Sequence, residues 1–172
     1  LREAQALLEA VRKNRDGDVR AESAKLEVKP IPTEGRPVDF TGAVGVLTAS
    51  AQMDASSARI GDPLVLKVRV EGTGNVRLFP RPSEEISWAS VVAGNERLQV
   101  DTTGARVRGY KEFEFLLTPT QDGPVTLPVI RYPYFDPYRE VFATAETAPA
   151  DVRVAAGALA ATDEDSSVEQ LP

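Results

Sequence analysis

Ile60-Gly-Asp-Pro63 runs into Leu64-Val-Leu-Lys-Val-Arg-Val-Glu71 and stops at Gly72-Thr-Gly-Asn75. Leu64, Leu66, Val68 and Val70 alternate with the charged Lys67, Arg69 and Glu71, the period-two pattern of a strand with one face buried and one in water. Turn residues bound it on both sides. Outward from this strand the same pattern recurs. Leu47, Ala49, Ala51 and Met53 alternate before it. After it come an element around Ile86, Trp88 and Val92 and another around Leu98 and Val100. The longest strand, Val107 to Thr118, has Phe113, Phe115 and Leu117 on one face and Glu112, Glu114 and Thr118 on the other. Lys111 falls against that phase, which suggests a strand end or a bulge.

Gln121-Asp-Gly-Pro124 reads as a turn, and Val125 with Leu127 opens a further strand. Ile130 and Tyr132 hold the opposite phase across Pro128, the signature of a bulge or an edge position. Val141 and Val152–Val154 anchor the last strand material. Regular strands with turn signals between them and no intervening helix indicate an all-β fold, an immunoglobulin-like antiparallel β-sandwich of about seven strands over residues 37–155. Burial of Leu64, Leu66, Val68, Phe113 and Phe115 is expected to hold it together.

Upstream, Leu1, Ala4, Leu8 and Val11 fall on one stripe of a short helix over about 2–14, stopped at Asn14-Arg-Asp-Gly17. Residues from about 20 to 30 alternate loosely and close with Pro30-Ile-Pro32, an extra lead-in strand. We expect residues 1–36 to be the tail end of a preceding domain and a hinge. The helix and a strand cut off from its sheet would leave an edge open to self-association. Residues 156–172 carry Asp163, Glu164, Asp165 and Glu169 with no Lys or Arg, a charge of -4, and read as an acidic disordered linker.

The chain has 172 residues and a net charge of -6, leaving -2 for residues 1–155. That balance disfavours nucleic-acid binding, which needs a basic face. There is no Cys and no His, so thiol chemistry, thiolate metal sites and histidine general bases are absent. A start at Leu1 suggests a fragment, whose parent would carry any signal or membrane segment. The fragment shows no apolar run long enough to span a bilayer, so direct membrane contact is not expected.

Candidate chemistry is sparse. Asn14-Arg-Asp-Gly-Asp18 follows a helix but puts Val19 where a calcium loop needs Gly and Lys25 where it needs a closing acid. Gly72-Thr-Gly-Asn75 lacks the Lys and the helix of a phosphate loop. Trp88 reads as a core anchor. The carboxylates Asp39, Asp62, Glu112, Glu114 and Asp136 show no cleft-forming pattern, so no catalytic residues, metal ligands or cofactor are expected. Tyr132-Pro-Tyr-Phe-Asp-Pro-Tyr138 packs four rings and two prolines together. Tyr132, Tyr134, Phe135, Asp136 and Tyr138 form either an aromatic platform for a sugar or a peptide, or the closed end of a sandwich with Asp-Pro capping a turn.

In order and spacing, Leu26-Glu-Val-Lys-Pro-Ile-Pro32, Gly35-Arg-Pro37, Asp39-Phe-Thr-Gly-Ala-Val-Gly45, Ile60-Gly-Asp-Pro63 and Gly72-Thr-Gly-Asn75 resemble the BatD oxygen-tolerance family. Lys111-Glu-Phe-Glu-Phe115, Leu117-Thr-Pro119, Gly123, Leu127-Pro128 and Tyr134-Phe-Asp-Pro137 continue the likeness. The resemblance implies a bacterial protein of tandem immunoglobulin-like domains on the periplasmic side of the cytoplasmic membrane, held there by a C-terminal membrane segment. It implies partners among membrane proteins with von Willebrand A domains and, indirectly, a MoxR-type ATPase. It also implies a scaffold role in aerotolerance or envelope stress without chemistry of its own. The helix over 2–14 would be an insertion near the end of the preceding domain. Between tandem domains, Gly35, Pro37, Phe40, Gly42 and Gly45 would form the inter-domain hinge, with Phe40 plugging the next core.

Overall fold

The computed structural model describes Gln5, residues 27–83 and residues 85–157. The expected helix, apart from a helical Gln5, and all of the acidic linker after residue 157 lie outside the described residues, as does most of the lead-in strand; residues 27–32 belong to no strand. The chain divides into two units between Ile31 and Pro32. Among the described residues, the second holds nine strand segments: β1 (Gly45–Met53), β2 (Ser57–Arg59), β3 (Leu64–Gly74), β4 (Ala89–Asp101), β5 (Arg108–Pro119), β6 (Gly123–Leu127), β7 (Arg131–Asp136), β8 (Val141–Glu146) and β9 (Ala150–Ala155).

β1, β3, β5 and β4 form an antiparallel sheet in that spatial order. Alternation decides its faces. Leu64, Leu66 and Val68 of β3 pair with Leu117, Phe115 and Phe113 of β5, and all six are buried. Lys67 and Arg69 pair with Glu114 and Glu112 on the outer face. Across the core lie β6 and β9, paired antiparallel, with the short β2 added parallel to β9. Trp88 is a core residue, and its indole Nε1 donates to the Thr126 carbonyl of β6 at 3.0 Å. The fold is an all-β sandwich with one continuous hydrophobic core.

The phase switch at Pro128 has a structural cause. β6 pairs β9 and β7 pairs β8 in one unbroken register, from Gly123↔Val154 through Leu127↔Ala150 to Arg131↔Glu146 and Asp136↔Val141. They are two halves of one long hairpin, so the nine segments amount to seven strand paths. Between the halves, Ile130 N donates to Thr147 Oγ1 at 3.0 Å and Thr147 N donates to Ile130 O at 3.1 Å. Leu127 and Val152 turn to the core before this point, Tyr132 and Ala145 after it. The ladder therefore rolls over and presents its other face.

One expectation is corrected. The elements around Val92 and Leu98 are a single strand, β4, with Ile86 and Trp88 lying ahead of it. Its register shifts between Ala93 and Glu96, so Gly94-Asn95 forms a bulge within the strand.

Candidate interaction surface

The aromatic segment 132–138 is divided by the hairpin. Tyr132 is 2% exposed; its hydroxyl donates to Pro80 O at 2.8 Å and its ring meets Phe79 edge-on. Burial pushes the Tyr132 hydroxyl well above the ordinary tyrosine value. Phe135 is buried on the other face of β7, where Phe142 lies between it and Phe40 with ring centroids 5.2 and 5.1 Å away. Asp136 is also buried, and its Oδ1 accepts from Tyr138 N at 2.9 Å and Arg139 N at 3.2 Å, which closes the β7–β8 turn around the left-handed Glu140. Tyr134 is half-buried and Tyr138 is 57% exposed, with the Arg106 guanidinium 4.4 Å above its ring. The five residues share a segment but no common flat face.

The glycine-rich pieces of sequence meet in space. Gly35 and Gly42 take positive φ in the lead-in, where Arg36 N donates to Thr33 O and Phe40 N to Pro37 O. Phe40 packs on the aromatic cluster over β7–β8 and stays outside the main core, and Phe135 N donates to Ala43 O at 2.9 Å. Gly45 is a strand residue paired with Gly74, and Asn75 fastens the junction: its Oδ1 accepts from Val44 N at 2.9 Å and its Nδ2 donates to Gly42 O. Gly61, in the Ile60–Pro63 turn, donates its N–H to Pro119 O at 3.0 Å.

The carboxylates do not converge. Glu112 and Glu114 stand on the outer face of β5, Glu114 3.9 Å from Lys67, while Asp39 and Asp62 lie exposed in separate turns. Among the described residues, no group of three or more acids is placed to hold a metal ion.

A cationic cluster sits at the β4 bulge. Arg81 donates to Glu114 O at 2.8 Å and Gly94 O at 2.9 Å, carbonyls that the register shift leaves without their regular ladder. Arg81 also reaches Glu96 at 3.2 Å, which in turn lies 3.0 Å from Lys111. Lys111 donates to Phe79 O at 2.9 Å. This accounts for its position against the phase, since bulge and 3₁₀ turn (Val76–Leu78) give its ammonium acceptors. The Lys111 hydrogen bond, reinforced by both cations, holds the Glu96 carboxyl below its ordinary range.

Register across the four-stranded sheet assembles the remaining surface. Thr48, Glu71, Tyr110 and Gln99 form one outer row; Val46, Thr73, Arg108 and Asp101 form the next. These rows, with Arg106, line an open groove of about 590 Å³. The Arg69 guanidinium lies over the Tyr110 ring, 3.6 Å from its centre, with Nε 3.7 Å from Glu71. Arg106, Arg108 and Tyr110 were not singled out by the sequence. The available signal was their phase: Arg108 and Tyr110 continue the face of Glu112 and Glu114. Beside the groove runs β4, the margin of the sheet, exposed at every residue except Ala89, Val91 and Val100.

The fold thus defines an antiparallel β-sandwich module whose exposed features are a sheet face and a long edge strand. A family model described as the BatD DUF11 like domain matches residues 51–154, more than half of the chain, and the chain belongs to the BatD family. The match runs from within β1 into β9 and leaves the proline- and glycine-rich lead-in upstream of it. No curated protein matches the chain.

Proposed function

We propose that this domain is a non-catalytic protein-interaction scaffold of a BatD-like aerotolerance or envelope-stress protein, working on the extracytoplasmic side of the membrane. The observation that carries it is β4. Thirteen residues long and at the sheet margin, it pairs with β5 on one side and exposes Val92 and Leu98 at 57% and 41%. An open edge of this length offers main-chain donors and acceptors to an added strand. The aromatic and acidic groups that suggested a ligand platform support the same reading, because Tyr132 and Asp136 are spent on holding the fold.

By family resemblance, the partners are von Willebrand A domain membrane proteins, with a MoxR-type ATPase engaged through them. Capture of the purified von Willebrand A domain protein by the immobilised domain tests this. Wild type should retain it, and the pair Val92→Lys and Leu98→Lys, both at exposed positions, should release it while keeping the wild-type melting temperature. Absence of capture by wild type, or capture undiminished in the folded double variant, overturns the proposal.

A further inference from the structure

We propose that the groove over the Gly72–Gly109 corner takes an extended, carboxylate-bearing segment of the partner protein; this rests on the interaction-domain reading and names the chemistry recognised. Charge is the first argument. Arg106 and Arg108 both line the groove, and neither forms an ion pair with a described carboxylate. The acids beside them are committed elsewhere. Asp101 accepts from Thr103 N at 2.9 Å and Thr103 Oγ1 at 2.7 Å, bonds that hold its carboxyl below the ordinary range, with Arg108 a lesser contribution. Glu71 lies beside Arg69. Two guanidiniums, each able to grip a carboxylate through a planar fork, are therefore the available charges at this corner.

The floor gives the second argument. Gly72 and Gly109 are register partners, and at each a Cβ would fall on a neighbouring strand's carbonyl oxygen, that of Val46 or Gln99. The strands here run without side chains between the outer rows, and the groove lies over that bare backbone. Its walls add the Tyr110 ring, braced by Arg69, and Val46. Tyr138 borders the Arg106 side, with the guanidinium set over its ring. Main chain on the floor, rings at the walls and guanidiniums at one end suit a peptide with acidic side chains flanked by an apolar one.

Continuity supplies the third. Gln99 and Asp101 belong both to the groove and to the C-terminal end of β4. A partner strand laid along the open β4 edge leads into the groove, so strand addition and carboxylate recognition can act on one segment.

The test is a nuclear magnetic resonance titration of the domain with a short peptide of alternating Glu and Ser, against its Gln and Ser counterpart. The Glu peptide should shift amides at 46–48, 71–73 and 99–110, and more weakly as salt rises. The variant pair Arg106→Ala and Arg108→Ala should weaken binding on the order of tenfold or more, and Arg106→Lys with Arg108→Lys should recover part of it. Arg131→Ala, which removes an exposed cation on the hairpin, should change nothing. Equal binding of the Gln peptide, shifts confined to other residues, or full affinity in a correctly folded Arg106→Ala, Arg108→Ala variant overturns the groove assignment. Capture of the von Willebrand A protein undiminished by those two substitutions also overturns it, while leaving the scaffold proposal standing.

Discussion

At Gly72 the backbone φ is 152°, and a methyl group would strike the Val46 carbonyl of β1. Gly74 repeats the arrangement with φ 137° against Val44, so the β1–β3 end of the sheet closes only on hydrogen side chains. Gly72→Ala should cost at least about 1–3 kcal/mol, seen as a lower denaturation midpoint; an unchanged midpoint would show that the corner is not tight. Glu96 ties stability to acidity. Its carboxyl, held by Lys111 and Arg81, titrates below the ordinary value of 4.5. The stabilising contribution is therefore complete above that value and is lost as pH falls through the depressed one. Asp101 contributes in the same direction. Urea unfolding at a series of pH values should show stability declining on acidification, and Glu96→Gln should flatten that decline; an identical pH slope in the variant would remove Glu96 from the account.

The long hairpin shows how far element-level signals reach. Val125 and Leu127 against Ile130 and Tyr132 disclosed the change of phase, because each half alternates cleanly. The roll itself was not legible, since it needs Thr147, seventeen residues away in sequence, to receive the Ile130 N–H in a buried site. Thr147→Val keeps the shape, removes that acceptor and strands the amide, at a cost of about 1–3 kcal/mol. Hydrogen exchange at Ile130 should accelerate in the variant, and unchanged protection would mean that the backbone alone holds the junction. In β4 the sequence misleads for a related reason. Its two halves read as separate elements, and the bulge at Gly94-Asn95 that joins them is met by the distant Arg81, which bonds to the Gly94 and Glu114 carbonyls. The aromatic segment was readable as composition but not as geometry. Alternation along β7 sends Tyr132 and Phe135 to opposite faces, and Asp136 turns to the backbone of its own loop.

Across the molecule, alternation in β3 and β5 made the sandwich legible, because each buried row depends on one strand's own pattern. The groove was hidden, since Thr48, Glu71, Tyr110 and Gln99 become neighbours only through three separate strand registers. Residues that marked the family serve the same corner: Gly45, Gly74 and Asn75 join the lead-in to the sheet, and Gly72, together with Gly109, floors the groove. A domain built this way uses its polar side chains for architecture and leaves an edge strand and a sheet face exposed, the two surfaces on which the proposed interaction role rests. Hydrogen exchange of the domain, free and with the purified von Willebrand A domain protein, tests that most directly. The account predicts new protection along residues 89–101 and at 106–110. Protection confined to residues 132–138, or none at all at saturating partner, would contradict it.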